Sequence, residues 1–125
     1  MKLRIRGNSI RIRVSQTELV SIAEDGSVEE EIQFGPAQRL VYGLTVAEQG
    51  PARVTYERDR VIVQLPRQAV TQWLDPAEVS IHDQQDIGDG EALRILVEKD
   101  FTCLAPREGE DDSDLFPNPD VSQVG

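Results

Sequence analysis

Four arginines, Arg4, Arg6, Arg11 and Arg13, alternate with apolar residues on either side of Gly7-Asn8-Ser9. Period-two alternation puts all four on one face of two neighbouring strands. A guanidinium is a planar, permanently charged fork, and several side by side form a bidentate cradle for phosphate or carboxylate. Like charges set opposite each other cost stability, so such a stripe calls for anions. The chain carries its own in Glu29, Glu31 and an acidic run near the C-terminus. Internal pairing therefore competes with an anionic ligand and with plain exposure to solvent.

Other chemistry is thinner. Glu108, Glu110, Asp111, Asp112 and Asp114 supply the oxygen ligands that magnesium or calcium prefer, but not the spacing or the mid-turn glycine of a calcium loop, so a solvated or arginine-docked tail is the stronger reading. Glu29, Glu31 and Glu57 are candidates for a divalent ion beside an arginine-bound polyphosphate. His82 and Cys103 are the one histidine and the one cysteine; zinc needs at least three protein ligands, and nothing places the imidazole beside the thiol as a base. No cofactor is expected, catalytic residues are unknown, and whether the protein is an enzyme stays open. Trp73, Phe34, Tyr42, Tyr56 and Phe101 fall at inward positions, and aromatics at 5% are too sparse for a base-stacking platform.

The elements that must position these residues follow from length and patterning. At 125 residues, with 38% hydrophobic and 29% charged, the chain fits one soluble domain over residues 1–104, with an acidic tail from 105 to 125. No apolar run approaches the roughly 20 residues that span a bilayer, and the charged amino end lacks a signal-peptide core. A single cysteine suits a reducing compartment, so a cytoplasmic location is expected. The net charge of −10 is unevenly laid out: Met1 to Val14 holds five basic residues and no acid. An acidic whole repels phosphate backbones at long range, which disfavours nucleic acid. A homo-oligomer or a protein partner remains open.

The strands Leu3, Ile5 and Ile10, Ile12, Val14 lead to Ser15, whose capping-box partner Glu18 opens a short helix with Leu19, Ile22 and Ala23 inward, closed by Asp25-Gly26. Val28, Ile32 and Phe34 then alternate with acids, with Glu30 interrupting the apolar side, and Leu40, Tyr42, Leu44 and Val46 form the next strand. After Gln49-Gly50-Pro51 the order restarts: Val54 and Tyr56; a turn at Arg58-Asp59; Val61, Val63 and Leu65; a helix opened by Pro66 with Val70, Trp73 and Leu74 inward; Val79 and Ile81; a turn at Gly88 to Gly90; Leu93, Ile95 and Val97. A constant offset of 51 places Ile10 on Val61, Ile22 on Trp73, Val28 on Val79 and Val46 on Val97. The expected product is an α+β domain of duplicated ββαββ units, residues 1–47 and 52–98, forming a mostly antiparallel eight-stranded barrel or sandwich with two short helices.

The opening Lys2-Leu3-Arg4-Ile5-Arg6-Gly7-Asn8-Ser9-Ile10-Arg11, the stretch Ile95-Leu96-Val97-Glu98-Lys99-Asp100-Phe101 with Cys103-Leu104, and Phe116-Pro117-Asn118-Pro119 resemble a family of small bacterial proteins of unknown function, over nearly the whole chain. The resemblance implies one cytoplasmic domain and brings no activity. The Phe116 segment reads as an apolar anchor able to plug the body of the fold. More loosely, the doubled pattern resembles the triphosphate tunnel enzymes, whose barrels line a channel with charges. That likeness implies a metal-dependent phosphate chemistry as the alternative to a binding or interaction module. The chain departs from it by starting on Lys2, Arg4 and Arg6 where those enzymes carry alternating glutamates.

Overall fold

In the computed structural model, which describes residues 1–101 and 113–117, the chain runs β1 (Lys2–Arg6), β2 (Ser9–Val14), α1 (Gln16–Asp25), β3 (Ser27–Gly35), β4 (Gln38–Ala47), β5 (Arg53–Glu57), β6 (Arg60–Pro66), α2 (Arg67–Trp73), β7 (Ser80–Gly88) and β8 (Glu91–Lys99). The strands form two mixed four-stranded sheets, ordered β1-β2-β8-β7 and β3-β4-β6-β5. Each is two antiparallel hairpins joined along a parallel seam, β2 against β8 and β4 against β6. The sheets make a sandwich and do not close into a barrel. Each seam therefore joins a hairpin from one half of the chain to a hairpin from the other.

Alternation explains the core. Ile10, Ile12 and Val14 of β2, Ile95 and Val97 of β8, Leu44 of β4, and Val61, Val63 and Leu65 of β6 are buried between the sheets. Burying a side chain of this kind is worth about 1.5–3 kcal/mol. The helices add Leu19 and Ile22 from α1 and Val70 and Trp73 from α2 to the same cluster. The α1 boundaries follow local chemistry: Ser15 Oγ accepts from the Glu18 amide at 3.3 Å, and Glu18 Oε1 accepts from the Ser15 amide at 2.9 Å. Gly26 ends the helix at φ 84°, the left-handed conformation that glycine adopts without a Cβ penalty. Pro66 closes β6 and serves as the cap before α2, so the helix itself starts one residue later, at Arg67.

The ladder registers revise the 51-residue offset. Val46 lies opposite Leu65, whereas Val14 lies opposite Lys99, so beyond the helices the matching positions stand 53 apart. The cause is the longer connection from α2 to β7. Lys99 thus takes a core-facing place and is buried, its ammonium donating to the Asp75 carbonyl at 2.9 Å and lying 5.3 Å from the Phe116 ring. Burial depresses its pKa, more than Asp75 and Glu78 restore it.

Several residues expected inward are exposed: Ile5, Ile32, Phe34, Tyr56, Leu74 and Val79. The physical reason for the strand residues is that the sandwich has open flanks. A side chain on the inner side of an edge strand has no facing sheet where the flank is not closed. Val79 and Leu74 fall in the α2–β7 connection, outside both elements. Trp73 is fully buried with its indole N–H donating to the Val79 carbonyl, and Tyr42 packs half-buried against the core.

At the first flank the α-ammonium of Met1 sits between Glu18, at 2.7 Å, and Glu30, at 2.8 Å, and Glu30 also accepts the Tyr42 hydroxyl at 3.0 Å. Glu30 breaks the apolar alternation because it serves this pair. Burial alone would lower the ammonium pKa, but the two carboxylates outweigh it and hold it above 8.0. Burial would raise Glu30, and the ammonium outweighs that too, holding it below 4.5. The ammonium's contribution to stability is complete below pH 8.0 and lost as pH rises through its raised value; that of Glu30 is complete above 4.5 and lost as pH falls through its lowered value. Glu30→Gln is therefore expected to lower the urea midpoint most between these limits and least at either extreme. A midpoint loss independent of pH would contradict the pairing.

Candidate arginine face

The outer surface of the β1-β2-β8-β7 sheet gathers the four arginines. Lys2 lies opposite Arg13, Arg4 opposite Arg11 and Arg6 opposite Ser9, while across the parallel seam Ser9, Arg11 and Arg13 meet Arg94, Leu96 and Glu98. Gln84 and His82 flank Arg94 and Leu96 on β7. Six cations thus share one face of a molecule whose net charge is −10.

Only part of that charge is neutralised within the described residues. Glu98 Oε1 accepts from Arg11 Nε at 2.7 Å and Nη2 at 2.5 Å, and from Arg13 Nε at 2.7 Å. Lys2 pairs with the buried Asp100 at 2.9 Å. Arg4, Arg6 and Arg94 have no carboxylate partner among the described residues. Among the described residues Glu98 and Asp100 take the role expected of Glu29 and Glu31, and the acidic run Glu108 to Asp112 lies outside them. Glu29 instead pairs with Arg60 and Glu31 with Arg39, both on the other sheet.

Around Arg94 the face is concave. One shallow depression of about 660 Å³ is lined by Ser9, Arg11, His82, Gln84, Arg94 and Leu96, among others, and an adjoining one of about 410 Å³ by Arg6, Gly7, Asn8, Ser9 and Arg94. Gly7, at φ 54°, makes the tight β1–β2 turn that brings Arg6 beside Ser9, whose hydroxyl donates to the Arg6 carbonyl at 2.7 Å. Forked cations beside a hydroxyl, an asparagine and an imidazole suit a compact oxyanion. Arg94 went unnoticed in the sequence because its membership of the face depends on a pairing between residues 9 and 94.

Among the described residues the arginines and the carboxylates do not face one another across a channel. Glu29, Glu31 and Glu57 belong to the sheet opposite the arginines, and the space between the sheets is filled by the apolar core. Among the described residues no three His, Cys, Asp or Glu side chains gather as a metal site. His82 is exposed on β7; Cys103, Glu108, Glu110, Asp111 and Asp112 lie outside the described residues.

The returning segment 113–117 does dock. The Asp114 carboxylate accepts from the Thr17 amide at 3.2 Å and hydroxyl at 2.9 Å, and its carbonyl accepts from the Gln16 amide at 2.9 Å. Hydrogen bonds from Ser15 and Thr17 hold that carboxyl below its ordinary pKa. Phe116 meets Phe101 edge-on, 6.1 Å between ring centres, and its amide donates to the Asp100 carbonyl.

Residues 1–120 match DUF7009, described as a family of unknown function. The chain belongs to that family. No curated protein and no solved structure matches it. Membership of DUF7009 brings no activity with it. No helix among the described residues is long and apolar enough to cross a membrane.

Proposed function

We propose that this protein is a cytoplasmic anion-recognition module, built from two ββαββ units, that binds a compact polyanion such as a short phosphate chain on the outer face of β1-β2-β8-β7. The observation that carries the reading is the unequal neutralisation of that face. Arg11 and Arg13 share Glu98, which fixes their forks, while Arg4, Arg6 and Arg94 stand exposed with no carboxylate among the described residues. The same element order in residues 1–47 and 52–98, with matching parallel seams, supports the duplication. The two sheets then differ in their outer faces: one carries six cations, the other Glu29, Glu31 and Glu57 interleaved with Arg39, Arg53 and Arg60.

A charge-assisted hydrogen bond contributes about 1.5–3 kcal/mol. Replacing Arg6 and Arg94 together by glutamate is accordingly expected to weaken binding of inorganic tripolyphosphate, measured by calorimetry in low salt, by roughly 100-fold or more. Wild-type affinity should also fall steeply as ionic strength rises, because the face is open to solvent. No binding by the wild type, or equal binding by the double variant, would remove the basis for this reading.

A further inference from the structure

We propose that the open edge of β1 receives an extended acidic peptide segment, which adds a strand to the β1-β2-β8-β7 sheet and lays its apolar side chains over Ile5, Ile32 and Phe34. The preference for acid rests on the anion reading above; the location rests on the two flanks of the sandwich. The two-residue turn Gly7-Asn8 makes Arg6 and Ser9 a hydrogen-bonded pair, and antiparallel pairs alternate. Lys2 and Arg4 therefore turn their main-chain groups toward β2, and Leu3 and Ile5 turn theirs toward the flank.

The opposite flank shows what fills such an edge. There the Ala52 amide donates to Asp83 at 3.1 Å; two residues further along both strands, the Val54 amide donates to Gln85 Oε1 at 2.6 Å and Gln85 Nε2 donates back to the Val54 carbonyl at 3.2 Å. A side-chain amide stands in for a neighbouring strand. On the first flank Glu30 takes the Met1 ammonium just as Asp83 takes Ala52, but two residues past Glu30 stands Ile32, which has no polar group to offer Leu3. The same step along both strands leads to Ile5 and Phe34, again without a polar group. These two are 63% and 66% exposed, and Ile32 is 46% exposed. An edge whose outward main-chain groups meet no partner among the described residues, with an apolar border, is the geometry that β-strand addition uses.

Charge selects the occupant. Lys2, Arg4 and Arg6 project from the other face of β1, so a second copy pairing antiparallel through its own β1 would set these cations against each other. A segment alternating acidic and apolar residues satisfies both faces at once, its carboxylates beside Arg4 and Arg6 and its apolar side chains toward Phe34.

The test uses the full chain, inorganic tripolyphosphate, and an eight-residue peptide alternating glutamate and valine. Two further peptides carry N-methyl groups on one or the other alternate set of amides. Only the set that faces β1 should matter, so one methylated peptide is expected to bind at least tenfold more weakly and the other unchanged. Phe34→Ser, at an exposed position, should weaken the peptide about tenfold and leave tripolyphosphate binding as it was. Tripolyphosphate binding with no peptide binding, or peptide binding indifferent to the methylation pattern or to Phe34→Ser, would overturn strand addition alone. Loss of both ligands from the wild type would overturn the anion reading with it.

Discussion

Alanine at position 43 is expected to destabilise the fold by about 3 kcal/mol, the upper part of the usual range for forcing a group into filled space. Gly43 is buried on β4 opposite Glu29, and a Cβ there would lie 2.3 Å from the Val28 carbonyl oxygen, 2.9 Å from Glu29 Cγ and 3.0 Å from Glu29 Cα. Two of these three neighbours are main chain, so no rotamer change relieves the contact; β3 itself must move away from β4. That movement disturbs the Val28–Leu44 pair beside it, and Leu44 is fully buried between the sheets. Urea denaturation of Gly43→Ala is the direct measurement, with Gly35→Ala as the control, since a Cβ at Gly35 meets only the end of the Gln38 side chain, at 3.4 Å. Equal midpoints for the two variants would mean that β3 and β4 are not in such close approach.

Gly43 also marks the boundary of what the sequence made legible. Local chemistry was readable: the Ser15–Glu18 box, the stop at Gly26, and the alternation that assigned Ile12, Val63 and Val97 to an interior. What depended on distant pairing was not. Alternation says which side of a strand a residue takes, and it does not say whether another sheet covers that side, so Ile5, Phe34 and Tyr56 read like Ile12 and yet lie at open flanks. The parallel seams join residues 19 and 85 positions apart, and both Glu98 as the arginines' partner and Arg94 as a member of their face depend on the longer one. Lys99 was hidden differently. A two-residue lengthening after α2 shifted the register, and the constant offset paired Val46 with Val97 where the ladders pair its place with a buried amine.

Ending the chain after Leu104 should produce two separable effects. It removes one basic and six acidic residues, taking the formal net charge from −10 to −5. Retention on heparin should therefore increase, because the long-range repulsion opposing the arginine face is halved. It also removes Phe116, which packs against the core cluster and covers the Lys99 ammonium, at a cost on the order of 1–2 kcal/mol in apolar burial. Asp114 goes with it, leaving the Gln16 and Thr17 amides at the start of α1 without their present acceptors. A second variant separates the terms: Phe116→Ala in the full-length chain keeps the charge and should reproduce most of the loss in melting temperature with no change in heparin elution. If that variant melts like the wild type, the ring is not anchored on Phe101 and Lys99, and the segment contributes charge alone.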